Sequence, residues 1–222
     1  MKKRKHWWIF LVIFVLAISL ILIAASVRVN IKTSHLSDDY QKLYQDIDFA
    51  QPVSVSNISV IRQDISCGYA VIEMFAQWAR KDVTEESLFD NYGKITASTG
   101  KSFEKQMNRQ FPEYKTTMYK YQTNSQMLEK IYNSLKNGIP VPFEWAAQTD
   151  NTWTLHYSLI SGLNFGSDEI TVLNPYGYQE VLPIAEFLKR TSFEAYENMP
   201  LFLKMGFMFG VFEKNTIFVV EE

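Results

Sequence analysis

The chain has 222 residues, 47% of them apolar and 21% charged, with a formal net charge of −2; this is a globular balance and excludes a disordered chain. Four of its 22 basic residues, Lys2, Lys3, Arg4 and Lys5, precede an apolar run, which leaves 18 basic against 24 acidic groups, a net of −6, from residue 28 onward. Such a balance offers nucleic acid no electrostatic footprint, and that class is excluded.

After the basic tail come Trp7 and Trp8, then an uncharged stretch from Ile9 to Val27. As a helix it spans roughly 28 Å, about the hydrocarbon thickness of a bilayer. The basic flank predicts a cytoplasmic N-terminus, and the tryptophans suit the interface. A cleaved signal peptide is the competing reading, since Ala24, Ala25 and Ser26 are small; the length of the run favours an uncleaved anchor. The expected organisation is a cytoplasmic tail over 1–8, a transmembrane anchor over 9–27, a juxtamembrane stalk over 28–51 and one extracytoplasmic domain over 52–222.

Along that domain, Ile58 to Ile61 reads as a short strand. From Cys67 to Arg80 the apolar residues Val71, Met74, Phe75 and Trp78 fall at helical spacing. Thr84 opens another helix as an N-cap, with Ser87 where a capping box would place an acid. Ser102–Phe111 and Ser125–Lys136 read as further helices, the second stopped by Asn137-Gly138 and Pro140. Val141–Ala146, Trp153–Leu163, Ile170–Leu173 and Thr216–Val220 then read as strands, with a helix at Ile184–Arg190. Helices followed by an antiparallel sheet predict an α+β domain. The apolar stretch Met199–Phe212 is too short to span a membrane as a helix and is expected to be core, with a membrane-facing or substrate-binding surface as the competing reading.

Cys67 is the single cysteine, so it forms no internal disulfide; it is a buried structural thiol, a dimerising thiol or a reactive one. Its place in the first turn of a predicted helix, between Ser66 and Gly68, exposes it to the helix dipole and to unpaired backbone N–H groups, which favour thiolate. His156 is the one histidine of the domain, because His6 and His35 lie before or beside the membrane. Alternation puts Thr154, His156 and Ser158 on one polar strand face and Trp153, Leu155, Tyr157 and Leu159 on a core face. A hairpin of the next strand, ending at Asn174-Pro175, brings Asn174 toward His156. Thiol, imidazole and an orienting acceptor, in the order Cys, His, Asn, are the parts of a nucleophilic site. Gln63 can lend a side-chain N–H to an oxyanion hole. The single Cys and scattered His have no metal-ligand spacing and there is no Gly-rich phosphate loop, so neither metal nor cofactor is expected.

Three segments together, Gln63-Asp64-Ile65-Ser66-Cys67-Gly68-Tyr69-Ala70, Leu155-His156-Tyr157-Ser158-Leu159-Ile160-Ser161-Gly162 and Val172-Leu173-Asn174-Pro175-Tyr176-Gly177, resemble the C39-like branch of the papain-like cysteine peptidases. The run Ser134 to Val141 resembles the family's step from helix through Asn-Gly-x-Pro to strand. The resemblance covers roughly residues 52–220 and implies a papain-like fold with Cys67 as nucleophile, His156 as base, Asn174 as orienting group and Gln63 as oxyanion donor. It further implies a peptide or protein substrate, cleaved at a peptide or isopeptide bond. Two departures stand out: Gln63 lies four residues before Cys67 where the family's Gln commonly lies about six before, and Asn174 replaces a common Asp. The best-known relatives cleave double-glycine leaders beside a cytoplasmic transporter domain. This chain's single anchor predicts the opposite side, so leader cleavage is not carried over. A non-catalytic binding domain and an acyltransferase using the same thiol are the alternative readings.

Overall fold

Residues 7–93 and 98–222 are described by the computed structural model, so Lys2 to Lys5 of the expected cytoplasmic tail lie outside the described residues. Helix α1 runs Trp7–Thr33 and is long and apolar enough to cross a membrane. Two short 3-10 turns at Tyr40–Gln45 and Ile47–Phe49 follow it. The segment expected to be a stalk lies against the domain instead. Leu36 and Leu43 are buried, and Tyr40, Tyr44 and Phe49 pack on the same core as Leu43, because their apolar surface is removed from water only there.

The strand expected at Ile58–Ile61 does not form; that segment is irregular, and β1 is instead the short Val53–Ser54. Ile58, Val60 and Ile61 still pack on the core, which accounts for their apolar pattern without a ladder. Helices α2 (Cys67–Ala79), α3 (Glu85–Tyr92) and α4 (Gly100–Gln110) come next. Each start is capped by a side chain: Ser66 accepts from the Tyr69 N–H, and Thr84 with Ser87, and Thr99 with Ser102, form reciprocal capping boxes. Ser87 therefore does the work assigned to an acid in the usual box. Strand β2 (Lys115–Tyr119) and α5 (Asn124–Lys136) complete the first half.

The second half supplies β3 (Val141–Thr149), β4 (Thr152–Asn164), β5 (Glu169–Asn174), β6 (Tyr178–Pro183), α6 (Ile184–Thr191), α7 (Leu201–Phe209) and β7 (Thr216–Glu221). Asp150 and Asn151, both at positive φ, make the two-residue turn that joins β3 to β4, a turn whose twist matches that of the strands. The sheet runs β2-β7-β3-β4-β5-β6, with β1 added to the far end of β4. Every pairing is antiparallel. The architecture is the expected α+β arrangement of helices packed on an antiparallel sheet, preceded by one N-terminal apolar helix.

Strand alternation divides the interior into two cores. Phe143, Trp145, Ile160, Val172 and Ile217 face α5, α6 and the 3-10 turns. Tyr157, Leu159, Leu173 and Phe218 face α2, α3 and α4. The strands that carry His156 and Asn174 are thus held from both sides. Replacing Leu43 with Ala should destabilise the protein by about 2–4 kcal/mol in urea unfolding followed by tryptophan fluorescence; an unchanged midpoint would mean that the segment after α1 is not part of the cooperative unit.

Candidate active site

Cys67 is the first residue of α2, and what holds it there is a carboxylate. Glu85, buried at the start of α3, accepts from the backbone N–H groups of Asp64 (2.8 Å), Ile65 (2.9 Å) and Ser66 (2.5 Å). Three donors of the loop before Cys67, which otherwise need water, are satisfied by one side chain. The same loop is tied to the end of β5, since the Gln63 N–H donates to the Pro175 carbonyl at 2.8 Å. Gln63 therefore lies beside the Asn174-Pro175 turn. Its side-chain oxygen is buried with no hydrogen-bond partner among the described residues.

His156 and Asn174 come together as the hairpin predicts. His156 Nε2 lies 3.0 Å from Asn174 Oδ1, and both residues are buried. Asn174 is fixed by its other contacts: its Nδ2 donates to Glu180 Oε1 at 2.6 Å, and its Oδ1 accepts from the Tyr176 N–H at 3.0 Å. A carboxylate takes only donors and an N–H offers only a proton, so the amide has one consistent orientation. Oδ1 then faces Nε2, which must carry the proton, and Nδ1 keeps the lone pair. Tyr176 stacks on the imidazole with ring centroids 4.2 Å apart and hydrogen-bonds Thr154 through its hydroxyl. Glu180 is itself held by Arg190 Nη1 at 3.1 Å, and Arg190 Nε reaches Glu186 at 2.9 Å. The guanidinium lies over Trp145 and Trp153, so both tryptophans brace this network.

Cys67 is half-buried. The backbone N–H of Tyr157, the residue after His156, is near enough to its sulfur to favour thiolate. Burial pushes the thiol up to about 11, although the N–H groups of Tyr157 and Gly68 favour thiolate; the nearby Glu144 carboxylate raises it further. The expected lowering by the helix start is thus present but outweighed by desolvation. Burial likewise pushes His156 down to about 4 against the support of Asn174. At rest the thiol and the imidazole are both neutral.

Glu144, Glu85, Glu180 and Tyr176 are the site neighbours that sequence reasoning missed. Glu144 lies on β3 opposite Tyr157, is fully buried, and neither carboxylate oxygen has a hydrogen-bond partner among the described residues. Burial pushes it up to about 8, with Glu213 adding to the shift, so near neutral pH it is predominantly the uncharged acid. An acid at position 144 within an apolar strand was the one signal available.

Residues 54–200 match the model of the peptidase C39-like family. A solved structure described as a double glycine motif protease from an AMS/PCAT transporter in complex with the leader peptide is 16% identical, over 77% of this chain and 96% of that one, with a TM-score of 0.48. No curated protein matches.

Two measurements follow from the ionisation states. Thiolate ultraviolet absorbance, read against Cys67→Ser, should stay flat from about pH 5 to about pH 9 and rise above about pH 10; a step in the acid range would mean a pre-formed ion pair. Glu144 binds its proton more tightly folded than unfolded, so it contributes a stability that is complete below pH 4.5 and is lost as pH rises to about 8. Compared with Glu144→Gln, the wild type should lose stability across that window, by about 4–5 kcal/mol at most, in urea titrations at stepped pH.

Proposed function

Because the chain belongs to the peptidase C39-like family, we propose that it is a membrane-anchored cysteine peptidase that hydrolyses a peptide or isopeptide bond at Cys67, His156 and Asn174. The observation that carries this reading is the hydrogen bond from His156 Nε2 to Asn174, which leaves Nδ1 as the free base on the residue before Tyr157, whose N–H is near enough to the sulfur to favour thiolate. Family membership supports a peptide or protein substrate. A 27-residue apolar helix with no buried residue supports an anchor, and the basic residues before it support a cytoplasmic N-terminus with the catalytic domain on the other side.

In this mechanism Nδ1 takes the Cys67 proton as sulfur attacks the scissile carbonyl carbon, so thiolate is formed only as it is consumed. The resulting oxyanion is met by the N-terminal N–H groups of α2 and by the side-chain amide of Gln63. The imidazolium returns the proton to the leaving amine nitrogen, the C–N bond breaks, and an acyl-thioester remains. Water, deprotonated by the same Nδ1, attacks the thioester and restores the thiol. Asn174 keeps the imidazole in the tautomer each step requires, and Glu180 keeps Asn174 in place.

Cleavage of a peptide library by the full chain in detergent, followed by mass spectrometry of new N-termini, tests the reading. Cys67→Ala should abolish cleavage, Asn174→Ala should lower kcat/KM by about 10–100-fold, and Gln63→Ala should reduce kcat by about 10-fold or more; full activity in Cys67→Ala would rule the mechanism out. The neutral, desolvated thiol favours a second reading, a domain of the same fold that binds a peptide or cell-wall component without turnover. Selective alkylation of Cys67 by iodoacetamide that slows in His156→Ala supports the enzyme; slow, equal alkylation in both supports the binding domain.

A further inference from the structure

Helix α7 has two faces of opposite character in their surroundings but not in their chemistry. Leu203 and Phe207, four residues apart, are buried, and Phe207 packs with Ala146 and Phe193. Around the rest of the helix and just beyond it, Leu201 (73% exposed), Phe202 (68%), Met205, Phe209 and Val211 stand in solvent. The expectation that Met199–Phe212 is core thus holds for only one side of the helix. A domain of this size rarely leaves so many adjacent large apolar side chains in water without an occupant for them.

Position supplies the occupant. The last two turns of α1 pack on α7, and on α1 the half-buried residues are Ala25, Val29, Lys32 and Thr33, one helical stripe. Those turns lie just past the uncharged stretch that ends at Val27, which is the level of the lipid headgroups if α1 crosses the bilayer. The clefts between α1 and α7 are lined by Arg28, Lys32, Lys101, Lys120, Lys204 and Lys214. Only Glu213 among the acids shares them, and it is paired with Lys120. Apolar side chains rimmed by cations, beside the exit of an anchor, are the build of an interfacial helix on an anionic bilayer.

We propose that α7 is a second membrane contact: its exposed side chains enter the interface of the bilayer that α1 crosses, and so fix the orientation of the domain above the lipid. The inference rests on α1 spanning that bilayer, and α1 is therefore probed separately.

The test uses the full chain in the Cys67→Ser background, reconstituted into phosphatidylcholine–phosphatidylglycerol liposomes. Single cysteines introduced by Phe202→Cys, Phe209→Cys, Ile13→Cys and Gln179→Cys carry an environment-sensitive fluorophore. Ile13 lies within the apolar stretch of α1, and Gln179 is exposed on β6. Labels at 202 and 209 should be blue-shifted, shielded from iodide, and quenched by spin-labelled lipid at least twofold more than the label at 179. Quenching at 13 with 202 and 209 behaving like 179 overturns the inference and leaves the anchor standing. No quenching at 13 overturns the anchor, whatever α7 does. Shielding from iodide at 202 without lipid quenching, together with energy transfer between donor- and acceptor-labelled chains, overturns the inference in favour of a face between two copies.

Discussion

The register of β4 is the constraint on which both cores and the candidate site depend. Its side chains alternate between two interiors: Tyr157 and Leu159 join the core of α2, α3 and α4, while Trp145, paired across from His156, and Ile160 join the other. A slip of one residue exchanges every side chain between the two faces. It would remove His156 from Asn174 and drive it into an apolar core, and it would bring Tyr157 out of its stack on Phe103. The two-residue turn at Asp150-Asn151 fixes the register at one end. At the other, the shift in pairing between Ile160 and Gly162 lets β5 bend away; a Cβ on Gly162 would lie 3.1 Å from Thr171 Oγ1, so the glycine is what permits the approach.

Around that strand, carboxylates do the positioning. Glu85 gathers the loop before Cys67, and Glu180 orients Asn174 and is oriented by Arg190. Each accepts several hydrogen bonds in a partly desolvated place, where such bonds are stronger than in water and a missing partner costs more. Cys67 and His156, the proposed nucleophile and base, are thus held by groups that never need to touch substrate. A proton relay tolerates small errors in geometry poorly, and two anchored supports reduce those errors.

Much of this was legible from the residues. α2, α5, the four predicted strands of the second half and the approach of Asn174 to His156 all follow from apolar periodicity, caps and turns, because these features act over a few residues. The parts not legible depend on distant segments. β2 is rich in Thr and Tyr but is a strand only because β7 pairs with it. β6 lies at the sheet edge, mostly exposed, so it has little apolar pattern to show. Ile58–Ile61 looks like a strand and packs as a loop because no strand among the described residues pairs with it. Glu85 and Glu180 read as ordinary surface acids until the fold places backbone N–H groups and Asn174 in front of them.

The neutral resting state then constrains how the site can work. A thiol near 11 and an imidazole near 4 mean that separating charge in the empty site is uphill, and the low-polarity surroundings that cause this also strengthen any attraction once charge appears. In the proposed mechanism a substrate carbonyl changes the balance by giving the negative charge somewhere to go: from sulfur to an oxygen met by α2 N–H groups and Gln63. The uncharged Glu144 serves the same end. An ionised carboxylate there would oppose negative charge on sulfur, whereas the protonated acid leaves the field to the helix start. Above about pH 8, where Glu144 ionises, that repulsion appears, and the site becomes less able to form thiolate just as solution pH begins to favour it.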